Sequence, residues 1–168
     1  MRLIPLDAPE LIALVAGWLA EKENFQWFDF GGGRQQLTPA LLKIMAQREM
    51  NVFRVFTADD NETPIGVVGL QNVDHHFKTA TIWTVLGNKA YCGRFYPGQA
   101  VSKMLTFGFQ ELGLGAINTW TVEHNRSVAY LKRLKFRYIE RQRRCHYIDG
   151  QPFDRLLFDL LSSEHPDL

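Results

Sequence analysis

Cys92-Gly93-Arg94-Phe95-Tyr96-Pro97-Gly98-Gln99-Ala100 stands between a strand pattern and a helix pattern. On its N-terminal side, Thr79 to Leu86 is full of β-branched and aromatic residues and reads as a strand. On its C-terminal side, Pro97 and Gly98 open an amphipathic helix carrying Val101, Met104, Leu105, Phe107, Phe109 and Leu112. Gly113 is placed to cap that helix. A turn that runs straight into a helix N-terminus presents unpaired N–H groups, and the helix dipole favours an anion there. The junction is therefore a candidate phosphate cradle.

The order continues downstream. Ala116 to Glu123 reads as a strand and Ser127 to Leu134 as a short helix. Phe136 to Ile148 and Phe153 to Leu161 read as two strands joined through the hairpin signal Asp149-Gly150. Upstream, Arg2 to Leu6 is a strand candidate and Asp7 the expected N-cap of a helix bearing Leu11, Leu14, Val15, Trp18 and Leu19. Phe25, Trp27, Phe28 and Phe30 then cluster before Gly31-Gly32-Gly33, an aromatic and glycine-rich loop. Thr38-Pro39 is an N-cap with proline at the first helical position, for a helix over Leu41 to Arg48. Val52 to Phe56 and Ile65 to Val73 are strands separated by the turn Asp59-Asp60-Asn61-Glu62. The expectation is one α/β domain over residues 1–168, with two helices covering part of a largely antiparallel sheet.

Bulk properties bound the function. The chain has 168 residues, 46% of them hydrophobic and 22% charged, as in an ordinary globular domain. A net charge of +1 gives no general pull toward nucleic acid, so no nucleic-acid partner is expected. No apolar run approaches the roughly 18 residues of a membrane span, and no secretory leader is visible. Cys92 and Cys145 are too few for a disulfide framework. A soluble, cytoplasmic protein without a membrane partner is the expectation. His75-His76 after Asp74 lacks a further ligand, so no metal site is expected.

The motifs as a set resemble the GCN5-related N-acetyltransferase (GNAT) superfamily, in its branch that acetylates ribosomal-protein N-termini, polyamines and amino sugars. They are Leu86-Gly87-Asn88-Lys89, the turn at 92–100, Val122-Glu123-His124-Asn125-Arg126-Ser127 and Leu131-Lys132-Arg133-Leu134-Lys135-Phe136. The resemblance covers about 90–160 by motif and the N-terminal third by element order. It implies a mixed, largely antiparallel sheet with splayed central strands flanked by helices, and acetyl-CoA as cosubstrate. The family's turn reads Gln/Arg-x-x-Gly-x-Gly/Ala. Anchored on Gly98 and Ala100, it puts Phe95 at the Gln/Arg place. Anchored on Ala100, Phe109 and Leu112-Gly113-Leu114, it keeps Gly93-Arg94 and puts Phe95 at the usual glycine and Pro97 at the usual small residue. The second register is preferred. Either way Gly93, Arg94, Phe95, Tyr96, Pro97 and Gly98 become candidate CoA contacts. The resemblance adds Asn125 to these, together with Thr84, Val85 and Leu86, whose strand would pair with the pantetheine amides.

In the second motif Ser127 keeps the family register. His124 fills the asparagine place, and Asn125 sits one residue late. Leu131 stands where many members carry a proton-donating tyrosine, with Tyr130 just before it. The resemblance implies direct attack by an amine, with Glu123 or His124 as base and backbone N–H near Leu86 holding the oxyanion. Ser127 or Tyr130 would protonate the thiolate. Strand alternation would put Glu123 and His124 on opposite faces. The acceptor would be a small-molecule amine or a protein N-terminus, met partly by the Phe25–Gly33 loop, and a homodimer is compatible. The basic run Lys132, Arg133, Lys135, Arg137, Arg141, Arg143 and Arg144 suits a solvated face or a contact to the CoA 3′-phosphate. A competing expectation is a binding module that kept the fold and lost catalysis, because of Phe95, Pro97 and Leu131.

Overall fold

The computed structural model describes residues 1–30 and 37–166. The elements run β1 (Leu3–Pro5), α1 (Pro9–Ala20), α2 (Lys22–Phe25), α3 (Pro39–Ala46), β2 (Val52–Thr57), β3 (Pro64–Asp74) and β4 (Thr79–Leu86). They continue with α4 (Tyr96–Gln110), β5 (Ala116–Val122), α5 (Ser127–Arg133), β6 (Arg137–Ile148) and β7 (Gln151–Leu161). All seven strands form one sheet in the order β1-β2-β3-β4-β5-β7-β6. Among the described residues its one parallel contact is β4 with β5, and the other pairs are antiparallel.

Helices cover both faces of the sheet rather than one part of it. On one face Ala100, Val101, Met104 and Leu105 of α4 pack with Leu131 and Leu134 against Val68, Leu70, Ile82 and Ile117. On the other, Ile12, Val15 and Leu19 of α1 and Leu42 of α3 pack against Phe53, Val55, Val67 and Trp83. Val67 and Val68 thus enter opposite cores as strand alternation requires, and a strand buried on both faces reads as a continuous apolar run.

Local signals hold at most boundaries. Thr38 Oγ1 accepts the N–H of Leu41 at 3.2 Å, as a capping threonine should. Gly113, at φ +66°, lies just past α4. Asp149 (φ 51°) and Gly150 (φ 76°) make the left-handed pair that a two-residue hairpin needs. Asp7 does not cap α1: the N-cap residue is Ala8, with no side-chain bond, and Pro9 starts the helix. Asp74 closes its turn by accepting the N–H groups of His76 and Phe77, both at 2.8 Å. Gly31-Gly32-Gly33 lies outside the described residues.

The feature that positions a site is the way β4 leaves β5. They pair only at Thr79–Ala116, Ala80–Ile117 and Thr81–Asn118. Thr119 Oγ1 then donates to the carbonyl of Ile82 at 2.8 Å, taking the place of a ladder bond. Beyond it, β4 continues with β3 as far as Leu86, while β5 follows β7 as far as Val122. The two central strands open into a V.

Candidate active site

The V opens into a cleft of about 870 Å³. Thr84, Val85 and Leu86 line one side, Thr119, Trp120 and Thr121 the other, and the 93–98 turn and α5 close it. Because the Ile82 carbonyl faces β5, strand alternation turns the backbone groups of Thr84 and Leu86 the same way, while Trp83 and Val85 sit opposite Gly69 and Val67 of β3. The Leu86 carbonyl is taken by Lys89 Nζ at 2.8 Å. The N–H and C=O of Thr84 and the N–H of Leu86 are left facing the cleft. This is the pattern a ligand needs to add itself as a strand.

The turn into α4 is built from three devices. Gly93 has φ +86°, and nothing stands within 4 Å of where a Cβ would be, so only its conformation demands glycine. Tyr96 is buried, and its hydroxyl donates to Asp59 Oδ2 at 2.7 Å while receiving Arg94 Nη1 at 3.4 Å. Tyr96 therefore anchors the turn to the β2–β3 loop and does not line the cleft. Phe95 is the N-cap residue, and its ring lies along the first turn against Gly98, where any Cβ would strike it. Arg133 covers the same ring, 4.0 Å from its centroid. Gly93, Arg94, Phe95, Pro97 and Gly98 all line the cleft. Pro97 brings no N–H.

The charges around this end are one-sided. Lys89, Arg94, Arg126 and Arg133 line the cleft, and Glu23 is the one carboxylate among the lining residues. Cations beside a helix N-terminus fit a polyanionic ligand such as a nucleotide pyrophosphate.

Facing this end, α5 brings three polar groups together. Asn125 Oδ1 accepts the N–H of Ser127 at 2.8 Å, so Asn125 shapes the entry to α5 while it lines the cleft. The Ser127 hydroxyl does not cap the helix: it lies 2.6 Å from Thr121 Oγ1 on β5. Tyr130 follows on the same side of α5, lining the cleft too. Burial pushes its phenol well above the ordinary tyrosine range, and the nearby Ser127 hydroxyl offsets a small part of that rise.

The two candidate bases lie 3.8 Å apart, His124 Nε2 to Glu123 Oε2, but only one of them lines the cleft. Glu123 and His124 lie just past the end of β5, so strand alternation does not separate them; His124 sits instead at φ 68° in the turn. Its side chain is 80% exposed and lines the cleft. Glu123 is directed to the β6–β7 hairpin, where Oε1 accepts the N–H of Asp154 at 2.9 Å and Oε2 meets Arg141 Nη1 at 3.2 Å. The same Arg141 bonds Asp154 at 3.0 Å. The Arg144 N–H, with Arg141, holds the Asp154 carboxyl below the usual carboxylate range. Glu123 is absent from the cleft lining.

The acetyltransferase (GNAT) domain model matches residues 1–137 of this sequence. The chain belongs to the GNAT acetyltransferase family. Members take their acetyl group from acetyl-CoA and pass it to an amine, and this chain is such an N-acetyltransferase. Among solved structures, spermidine N-acetyltransferase from Vibrio cholerae in complex with CoA and spermine superposes with a TM-score of 0.84 at 14% identity, over 97% of this chain and 96% of that one. The ribosomal-protein-S5-alanine acetyltransferase from Vibrio fischeri superposes with a TM-score of 0.76 at 18% identity, over 98% and 93%. At such identities the likeness is one of fold. No curated protein sequence matches the chain.

The other end of the cleft in this GNAT protein is aromatic. Trp27, Phe28, Trp83 and Trp120 line it. Phe28 stacks on Phe30 at 5.0 Å, and both meet Trp83 edge-on, so these two rings belong to the core beneath α1. Phe25 ends α2 with its side chain largely exposed. Trp120 is held from behind by Arg155, whose guanidinium lies 3.8 Å from the ring centroid. Arg155 also bonds Asp29 Oδ2 at 3.1 Å and His146 Nδ1 at 3.2 Å. Since Nδ1 of His146 receives an arginine, Nε2 carries the proton and donates to the carbonyl of Gln26 at 2.6 Å. The hairpin thereby clamps the 26–30 segment against the cleft. Sequence reading gave no role to Arg155, Trp120, Thr121 or Lys89, although Lys89 stands inside the Leu86-Gly87-Asn88-Lys89 motif. The β5–β7 register is what brings Arg155 under Trp120.

Proposed function

We propose that this chain acetylates the primary amine of a small molecule by direct attack, without an acetylated enzyme. The observation that supports this best is the V between β4 and β5, with the open backbone groups of Thr84 and Leu86 on one side and Ser127 and Tyr130 on the other. Acetyl-CoA supplies an activated acetyl carbon as a thioester. The groups of Thr84 and Leu86 hold the pantetheine arm extended, while the 93–98 turn, Arg94, Arg126 and Arg133 take the phosphates. The acceptor nitrogen bonds to the acetyl carbon, and the carbon–sulfur bond breaks with its electron pair going to sulfur. His124, rather than Glu123, takes the proton lost by the amine, because only His124 lines the cleft. Tyr130 gives its proton to the departing sulfur, and Ser127 and Thr121 orient that phenol. The products are an amide and the CoA thiol, so atoms balance. A cytoplasmic location suits this reading, since Cys92 and Cys145 are both exposed and unpaired.

The test is a thermal-shift titration with acetyl-CoA, joined to an assay of thiol release with a panel of amines. Saturating acetyl-CoA should raise the melting temperature through linkage, and amines should release free thiol. A shift without turnover on any amine would convert the reading into that of a binding module. No shift at millimolar acetyl-CoA would remove the cosubstrate.

A further inference from the structure

Trp27, Phe28, Trp83, Thr119 and Trp120 line both the main cleft and a smaller recess of about 50 Å³ beside it. The recess therefore extends the acceptor end of the cleft, and four of the five shared walls are aromatic. Phe30 and Ile82 add further apolar surface to it.

Of the two carboxylates near this end, Asp29 is held by an arginine and Glu23 has a lysine beside it. Glu23 Oε1 lies 3.9 Å from Lys89 Nζ, and Lys89 is itself fixed by Asn24 Oδ1 at 2.5 Å and the Leu86 carbonyl. Asp29, which lines the recess, bonds Arg155 Nη1 at 3.1 Å. One face of Trp120 is occupied by the Arg155 guanidinium, so that face offers no cation–π site to a ligand. With Lys89, Arg94, Arg126 and Arg133 along the cleft, an ammonium beyond the reacting one would meet mostly like charge, and Glu23, the one carboxylate among the described lining residues, has Lys89 Nζ at 3.9 Å. Taking such an ammonium out of water without a partner is costly.

We propose that the acceptor is a primary amine carried on a flat aromatic or apolar body with no second cation, its body seated among Trp27, Phe28 and Trp120. This rests on the acetyltransferase reading above and sets the chain apart from the polyamine enzyme whose fold it shares. The aromatic body gains apolar burial and ring–ring contact, which this end of the cleft supplies. The single amine must reach the V neutral, and the surrounding cations favour loss of its proton.

Two measurements decide the matter. Thiol release should be followed with 2-phenylethylamine, tryptamine, putrescine and spermidine, and calorimetry should follow binding of the same amines to the protein without acetyl-CoA. The aromatic amines should bind and turn over, with kcat/KM on the order of 100-fold or more above spermidine. Trp27→Ala should raise the KM for 2-phenylethylamine on the order of tenfold and leave that for acetyl-CoA within about twofold. Trp27→Leu serves as the control that keeps the wall apolar and should be milder. Spermidine or putrescine matching the aromatic amines would overturn the proposal, as would an aromatic amine that neither binds nor reacts while acetyl-CoA binds. Should the aromatic amine bind while acetyl-CoA does not, the aromatic-amine site stands and the acetyltransferase reading falls.

Discussion

The Ser127 hydroxyl lies 2.6 Å from Thr121 Oγ1, tying the first turn of α5 to the end of β5 inside the cleft. A serine so engaged is already part of a hydroxyl pair, which leaves the Tyr130 phenol on the same side of α5 as the group to give the proton. In the proposed mechanism Tyr130 is the donor and Ser127 its guide. Tyr130→Phe should lower kcat on the order of 100-fold with little change in the acetyl-CoA KM, and Ser127→Ala on the order of tenfold. Steady-state kinetics on both variants measure this. A fully active Tyr130→Phe enzyme beside a crippled Ser127→Ala enzyme would make serine the donor.

The raised phenol pKa has a readable consequence. As the proposed donor Tyr130 must be protonated, and burial lifts its folded-state pKa above the ordinary value of about 10. The protonated, active form therefore persists as pH rises through that value, and kcat should show no alkaline fall caused by Tyr130 up to about pH 10. The linkage has the matching sign: the neutral buried phenol favours folding fully below the unfolded pKa, and that contribution drains away above it. A pH–rate profile with an alkaline limb near pH 9 that disappears in Tyr130→Phe would contradict the raised phenol pKa, while leaving Tyr130 as the group that must be protonated.

Gly93 and Cys92 are neighbours with different demands. Gly93→Ala meets no atom but must hold φ near +86°, which costs about 1 kcal/mol. The strain falls on the turn proposed to receive the phosphates, so acetyl-CoA affinity should fall several-fold while the melting temperature drops only slightly. Cys92→Ser should change neither. Calorimetry with acetyl-CoA on both variants reads the difference, and equal behaviour of the two would remove the turn from the site.

Phe28 and Trp27 should separate in the opposite sense. Phe28 is stacked on Phe30 and edge-on to Trp83, whereas Trp27 lies outside both packed cores. Phe28→Ala should cost about 2 kcal/mol of stability, and Trp27→Ala well under 1 kcal/mol. Chemical denaturation of the two variants tests it. A Trp27→Ala chain as unstable as Phe28→Ala would make Trp27 a core residue.

The sequence by itself determined what short-range rules decide. Thr38 and Pro39 start α3, Pro97 sits in the first turn of α4, Gly113 lies just past its end, and Asp149-Gly150 closes the last hairpin. Each is a matter of one residue's φ or of a bond across three positions, and the motif order Gly93-Arg94 to Phe136 carried the family. The motif positions of Ser127 and Tyr130 were legible for the same reason, because three residues along a helix share a side. Tertiary structure decided the rest. That β4 and β5 part after Thr81 and Asn118 depends on β5 keeping register with β7 and β4 with β3, which no local periodicity encodes. The same pairing withdraws Glu123 to Asp154 and Arg141, sets Arg155 under Trp120, and lets Arg133 clamp Phe95 over Gly98. These contacts join residues far apart in the chain, and only the closed sheet with helices on both faces brings them within bonding distance.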